Sequence, residues 1–255
     1  MNQHYKLSVI LISKSSSLSF LPYLYVMQIR NSFRNTPTIV LNLIIINALV
    51  FFAQMALGGL NEESWVNDLF ALHHYKSECF RPYQLVTHLF MHGGFFHLLF
   101  NMLALWMFGS MMERVWGPQR FLIFYLICGL SAGLAQMGNY IHDYWSIDHQ
   151  ILNSEDVITY ASILRKNATV GASGAIMGVL AAYGYTFPNT ELFIMPIPFP
   201  VKAKWAILGI LALDIFGGIS NTTGDNVAHF AHVGGALVGF LIVLIWNKTN
   251  KQHFY

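Results

Sequence analysis

The sequence predicts an all-α membrane protein built as a bundle of six transmembrane helices. Three observations predict it. The 255-residue chain is 55% hydrophobic and only 10% charged, with a mean hydropathy of +0.48, whereas a soluble domain carries about 25% charged residues. Apolar runs of membrane-spanning length recur along the chain. Lysine and arginine are shared unevenly between the segments that join those runs.

The runs fall at about 37–57, 95–112, 119–141, 169–187, 203–220 and 228–247. Each approaches the ~20 residues a helix needs to cross the hydrocarbon. Long connections follow the first run (58–94) and the third (142–168). Residues 37–247 therefore read as one six-span domain, with 1–36 a cytoplasmic N-terminal tail and 248–255 a short cytoplasmic C-terminal tail. The apolar stretch 18–29 is too short to span and holds Pro22, and Met27 is an alternative start of translation.

With the N-terminus in the cytoplasm, Lys6, Lys14, Arg30, Arg34, Arg114, Arg120, Lys202, Lys204, Lys248 and Lys251 lie inside. Lys76, Arg81, Arg165 and Lys166 lie outside, so ten of the fourteen cations are cytoplasmic. This is the positive-inside pattern with both termini inside. A net charge of +2 without a basic run gives no case for nucleic-acid binding. Two cysteines, Cys79 in a loop and Cys128 mid-span, make no disulfide framework.

Polar groups within spans are expensive and mark candidate sites. His97 and Asn101 are spaced i, i+4 on span two, which puts both donors on one helix face. Two donors aimed at one point suit an oxyanion, although hydrogen bonding between helices is an equal claim on the pair. Ser173 sits between Gly171 and Gly174 near the start of span four, where small neighbours leave its hydroxyl approachable. Gly174 and Gly178 also form G-x-x-x-G, so a packing seam is the plainer reading of that segment taken alone.

His232 lies near the start of span six, with Gly235 and Gly239 on its own face. Glycines there would let spans four and six approach closely enough for Ser173 to meet His232. Spans two, four and six all run from outside to inside. His97, Ser173 and His232 therefore fall at a common depth, roughly 5–10 Å below the outer interface at 1.5 Å per residue. Nucleophile, base and oxyanion donors are the parts needed for acyl transfer.

Three further features compete. His88, His92 and His97 resemble a histidine box, which would make a metal-dependent membrane enzyme, but no H-E-x-x-H accompanies them. Asp214, in span five, could orient a histidine as a triad acid does, yet a loop anchor or cap is its expected role. His229 reads as a capping or loop group.

Taken jointly, these motifs make the chain resemble the rhomboid intramembrane serine proteases over about residues 37–247. The resemblance rests on Phe80-Arg81, on His88-Leu89-Phe90-Met91-His92 leading to His97-x-x-x-Asn101, and on Glu113-Arg114. It rests also on Gly171-Ala172-Ser173-Gly174 and on Ala231-His232-x-x-Gly235-x-x-x-Gly239. It implies a six-helix rhomboid-like bundle and a Ser173–His232 dyad, Ser173 as nucleophile and His232 as general base and acid. It implies an oxyanion hole from His97, Asn101 and the Ser173 backbone N–H, with structural support from Arg81, Glu113, Arg114 and the glycines Gly171, Gly174, Gly178, Gly235 and Gly239.

The resemblance further implies a first loop anchored near Arg81, lying partly in the membrane, and a gate and cap formed by span five and the following residues 217–227. No cofactor and no metal are implied, and the match to the six-span bacterial type implies a bacterial inner (cell) membrane as the location. The partners implied are the lipid bilayer and single-pass transmembrane substrates, cleaved near the outer interface; the oligomeric state is left open. Met177 departs from the pattern, because family members usually carry an aromatic residue one turn after the nucleophile. A catalytically inactive relative that binds and routes membrane proteins is the alternative, although such relatives usually lack the serine or the histidine.

Overall fold

The computed structural model describes residues 36–60, 64–148, 154–194, 198–220 and 227–249. The N-terminal tail with Met27, most of the C-terminal tail and most of the expected cap segment lie outside the described residues. The described residues from Pro37 onward form one compact unit.

The unit is an all-α membrane bundle. Its helices are α1 (Thr38–Ala56), α2 (Trp65–Phe70), α3 (Gln84–Thr87), α4 (Phe95–Trp116), α5 (Pro118–Asp148), α6 (Ser154–Lys166), α7 (Ser173–Thr186), α8 (Ala203–Ser220) and α9 (His229–Thr249). A short 3₁₀ turn, His88–Phe90, follows α3, and α4 carries a π-helical segment at Leu105–Gly109. Two-residue strands β1 (Glu191–Leu192) and β2 (Val201–Lys202) pair antiparallel between α7 and α8.

Among the described residues, α1, α4, α5, α8 and α9 are each long and apolar enough to cross a membrane. The fourth expected span differs. Its helix α7 holds 14 residues, which reach about 21 Å, short of the ~30 Å hydrocarbon. The expected span began at 169, but residues 169–172 are not helical. Thr169 pairs with Leu72 through two backbone hydrogen bonds of 2.9 Å, and Gly171 has φ +131°. That backbone conformation suits only a residue without Cβ. The chain therefore enters the bundle extended and turns into helix at Ser173.

Helix α7 is the centre of the bundle. Every residue from Gly174 to Gly184 is buried, as expected for a helix that is apolar all round. Small residues bring its neighbours close. A Cβ at Gly178 would lie 2.5 Å from Cys128 Sγ of α5, and one at Gly239 would lie 2.7 Å from Gly178 Cα. A Cβ at Gly235 would run into the Gly174 carbonyl oxygen. Gly174, Gly178, Gly235 and Gly239 thus form the seam along which α7 and α9 touch.

Buried polar side chains fix the other pairings. Glu113, 4% exposed near the end of α4, accepts from Ile39 N at 3.0 Å and Val40 N at 2.8 Å. It caps the first turn of α1, whose N-cap residue Pro37 makes no side-chain bond of its own. At the other end, Gln54 accepts from His92 N at 3.0 Å and donates to His92 O at 3.3 Å. Two ties at opposite ends make α1 and α4 antiparallel. Arg114 beside Glu113 is exposed. Helix α4 then stops at Gly117 (φ +82°), whose N–H donates to Glu113 O, and Pro118 opens α5.

Candidate active site

The segment between α1 and α4 is folded around one glutamine. Gln84, fully buried, donates through Nε2 to the carbonyls of Asp68, Leu69 and Cys79 and accepts from His73 N. The Arg81 guanidinium closes the neighbouring turn on the Glu78 and Phe80 carbonyls at 2.9 and 2.7 Å. Arg165 of α6 makes a two-pronged ion pair with Asp68 of α2. Hydrogen bonding to that guanidinium holds the Asp68 carboxyl below its ordinary 3.8.

This loop carries the segment that leads into Ser173. Gly171 N donates to His88 O at 2.9 Å, and Tyr140 and Thr169 hydroxyls meet at 2.6 Å. The start of α7 is thereby placed beside the start of α4. Ser173 is the first residue of α7, so its N–H is one of the four amides that no carbonyl within the helix can satisfy.

Across the seam, His232 Nε2 lies 2.8 Å from Ser173 Oγ. His232 sits in the first turn of α9, and its side chain is 16% exposed. His97 is the third residue of α4. The point where a Gly171 Cβ would sit lies 2.9 Å from His97 Nε2 and 3.6 Å from Ser173 Oγ. His97 and the serine hydroxyl therefore face the same small space, kept open by a glycine. One turn further along α4, Asn101 is 8% exposed, and its Nδ2 has no hydrogen-bond partner among the described residues. A buried donor left unpaired costs about 1–3 kcal/mol and calls for an explanation; a donor in that state is available to an anion.

Two expectations are corrected here. Asp214 is no loop anchor or cap. It is 8% exposed in the interior of α8, and its Oδ1 lies 2.9 Å from both His232 Nδ1 and His229 Nδ1. His229 heads α9 as expected, but its ring faces Asp214 and packs on Gly217, where a Cβ would fall 2.5 Å from His229 Cε1. A carboxylate only accepts, so both rings present Nδ1–H to it, and His232 Nε2 is left to accept the Ser173 hydroxyl proton.

His88, His92 and His97 are engaged with the protein itself rather than grouped around one point. His88 Nδ1 is 2.7 Å from Gln84 O, and His92 stacks edge-on to His97 with ring centroids 5.2 Å apart. Among the described residues, no three His, Cys, Asp or Glu side chains are grouped to hold a metal ion. Met177, one turn below Ser173, is 6% exposed within the core. The motifs in the sequence do not point to Gln54 or Gln84, which fix the loop and α1 beside the site. Gln54 could have been found, as an uncharged polar residue inside an apolar run.

The family follows from likeness to known proteins. The Rhomboid domain family matches residues 80–248. The chain belongs to the rhomboid family. It is 29% identical over 217 residues to the Rhomboid protease AarA of Providencia stuartii, covering 81% of this chain and 71% of that protein. It is 29% identical over 212 residues to the Rhomboid protease GluP of Bacillus subtilis, covering 80% of this chain and 34% of that one. The human mitochondrial presenilin-associated rhomboid-like protein is 33% identical over 165 residues, covering 62% of this chain and 38% of its own length. Apart from AarA, then, the chain spans about a third of these relatives. As a rhomboid, the chain is an integral membrane protein of a family that includes intramembrane serine proteases.

Proposed function

We propose that this rhomboid is an active serine-type endopeptidase that cleaves single-pass transmembrane proteins near the outer face of the membrane. The observation that carries this reading is the 2.8 Å contact between Ser173 Oγ and His232 Nε2, the geometry of an activated nucleophile and its base. His232 takes the hydroxyl proton as Oγ attacks the scissile carbonyl. The resulting oxyanion is held by the Ser173 N–H, His97 and Asn101. His232 then returns its proton to the leaving amine, which frees one half of the substrate and leaves an ester on Ser173. Water, deprotonated by His232, hydrolyses that ester.

Orientation follows from charge. With the N-terminus placed in the cytoplasm, ten of the sequence's fourteen cations are assigned to the cytoplasmic side, a bias that supports cytoplasmic termini and puts the starts of α4, α7 and α9 toward the outer face. The named bacterial proteases AarA and GluP support placement in a bacterial cell membrane. A substrate must present an extended backbone to Ser173, so a helix that unwinds locally at Gly, Ala or Ser is the fitting class. The test is co-expression with a panel of tagged single-pass proteins. At least one should be cut by the wild type and left whole by Ser173→Ala; a panel cut equally by both would refute the reading.

A further inference from the structure

A charged carboxylate inside a membrane helix is costly unless paired. Asp214 is such a group. Its helix α8 meets the first turn of α9, where His229 and His232 lie one turn apart and both reach Asp214 Oδ1 at 2.9 Å. The His229 ring is itself seated on the bare backbone of Gly217, three residues along α8 from Asp214. The carboxylate is thus fixed from one side by His229 and presented on the other to the imidazole that contacts Ser173.

We propose that Asp214 is a positioning residue that holds His232 in the tautomer able to take the serine proton, with His229 fixing the carboxylate in place. The inference rests on the Ser173–His232 reading above and extends the pair to a hydrogen-bonded chain of four side chains on three helices. The proton balance is simple. Oγ–H passes to His232 Nε2 as Oγ bonds the carbonyl carbon. His232 becomes an imidazolium, and Asp214 stabilises that charge through Nδ1–H without taking the proton. Without the carboxylate, neutral His232 is free to carry its proton on Nε2, where it cannot accept from Ser173. Because Asp214 belongs to α8, His232 is correctly oriented only while α8 lies against the start of α9.

The experiment measures the second-order rate at which a fluorophosphonate modifies Ser173 in the purified full chain in detergent. Asp214→Asn keeps the side chain's shape and should slow modification by on the order of 10²–10⁴-fold without shifting the melting temperature. Asp214→Glu should recover part of the rate, which a merely structural role would not require. A rate for Asp214→Asn within threefold of wild type overturns the proposal and leaves the Ser173–His232 reading standing. Failure to modify wild-type Ser173 at all overturns both. Should Asp214→Asn not fold, the ¹⁵N-histidine NMR spectrum of the wild-type phosphonyl adduct decides. A strongly downfield His232 Nδ1 proton is expected, and an ordinary imidazolium resonance overturns the proposal.

Discussion

Ser173 and His232 are 59 residues apart in sequence and 2.8 Å apart in space, because glycines on α7 and α9 remove the side chains that would separate them. A nucleophile and its base act as a unit. Ser173→Ala and His232→Ala should each abolish cleavage, with losses on the order of 10⁶ as in soluble serine proteases, and the double variant should be no worse than either. Additive losses, measured by single-turnover kinetics, would separate the two roles.

The unpaired Nδ2 of Asn101 is the second point of attack. Asn101→Ala should lower kcat by roughly 10²-fold or more, about 3 kcal/mol, with melting temperature unchanged or raised. His97→Ala should act in the same direction. A rise in KM at constant kcat would instead place these residues in substrate binding.

The glycine seam predicts an unusually sharp response to one methyl group. Gly235→Ala would drive Cβ into the α7 backbone, which cannot yield as a side chain tip can. Melting temperature and cleavage should fall together. Gly209→Ala, on α8 where a Cβ meets nothing within 4 Å, should melt at or somewhat above the wild-type temperature. Equal behaviour of the two variants would mean that α7 and α9 do not touch there.

The Asp68–Arg165 pair predicts an acid limit. A carboxyl whose folded pKa is depressed contributes stability that is complete above its unfolded value, about 3.9. That contribution is lost as pH falls through the folded value. Melting temperature should therefore drop below about pH 4 more steeply for wild type than for Asp68→Asn. The difference should be small, because the Arg165 side chain is 42% exposed. Identical pH profiles would show that the pair contributes nothing to folding.

The charge asymmetry predicts which loops face out. A cysteine at Ser64 should react with a membrane-impermeant reagent in intact cells, and cysteines at Gln119 or Asn189 should not. The reverse pattern would turn the site toward the cytoplasm.

Much of this arrangement is legible in the sequence because its signals are periodic or local. The i, i+4 spacing of His97 and Asn101, and the glycines at 174, 178, 235 and 239, each specify a helix face. The shortness of α7 is not legible. Residues 169–172 are apolar enough to extend the span, and hydropathy does not register the φ of Gly171 or the pairing of Thr169 with Leu72. Asp214 is not legible either, because most polar residues in spans serve packing; only the distance to His232 separates it from them. Gln84 escapes notice because a loop glutamine carries no signal of burial until the loop is folded around it.

The central claim is that Ser173 is a nucleophile activated by His232. Its most direct measurement is mass spectrometry of the purified protein after treatment with a fluorophosphonate, in the presence of a chelator. The account predicts a single adduct on Ser173, absent from His232→Ala and indifferent to the chelator. No adduct on Ser173 in the folded wild type, or one formed equally well by His232→Ala, would contradict it.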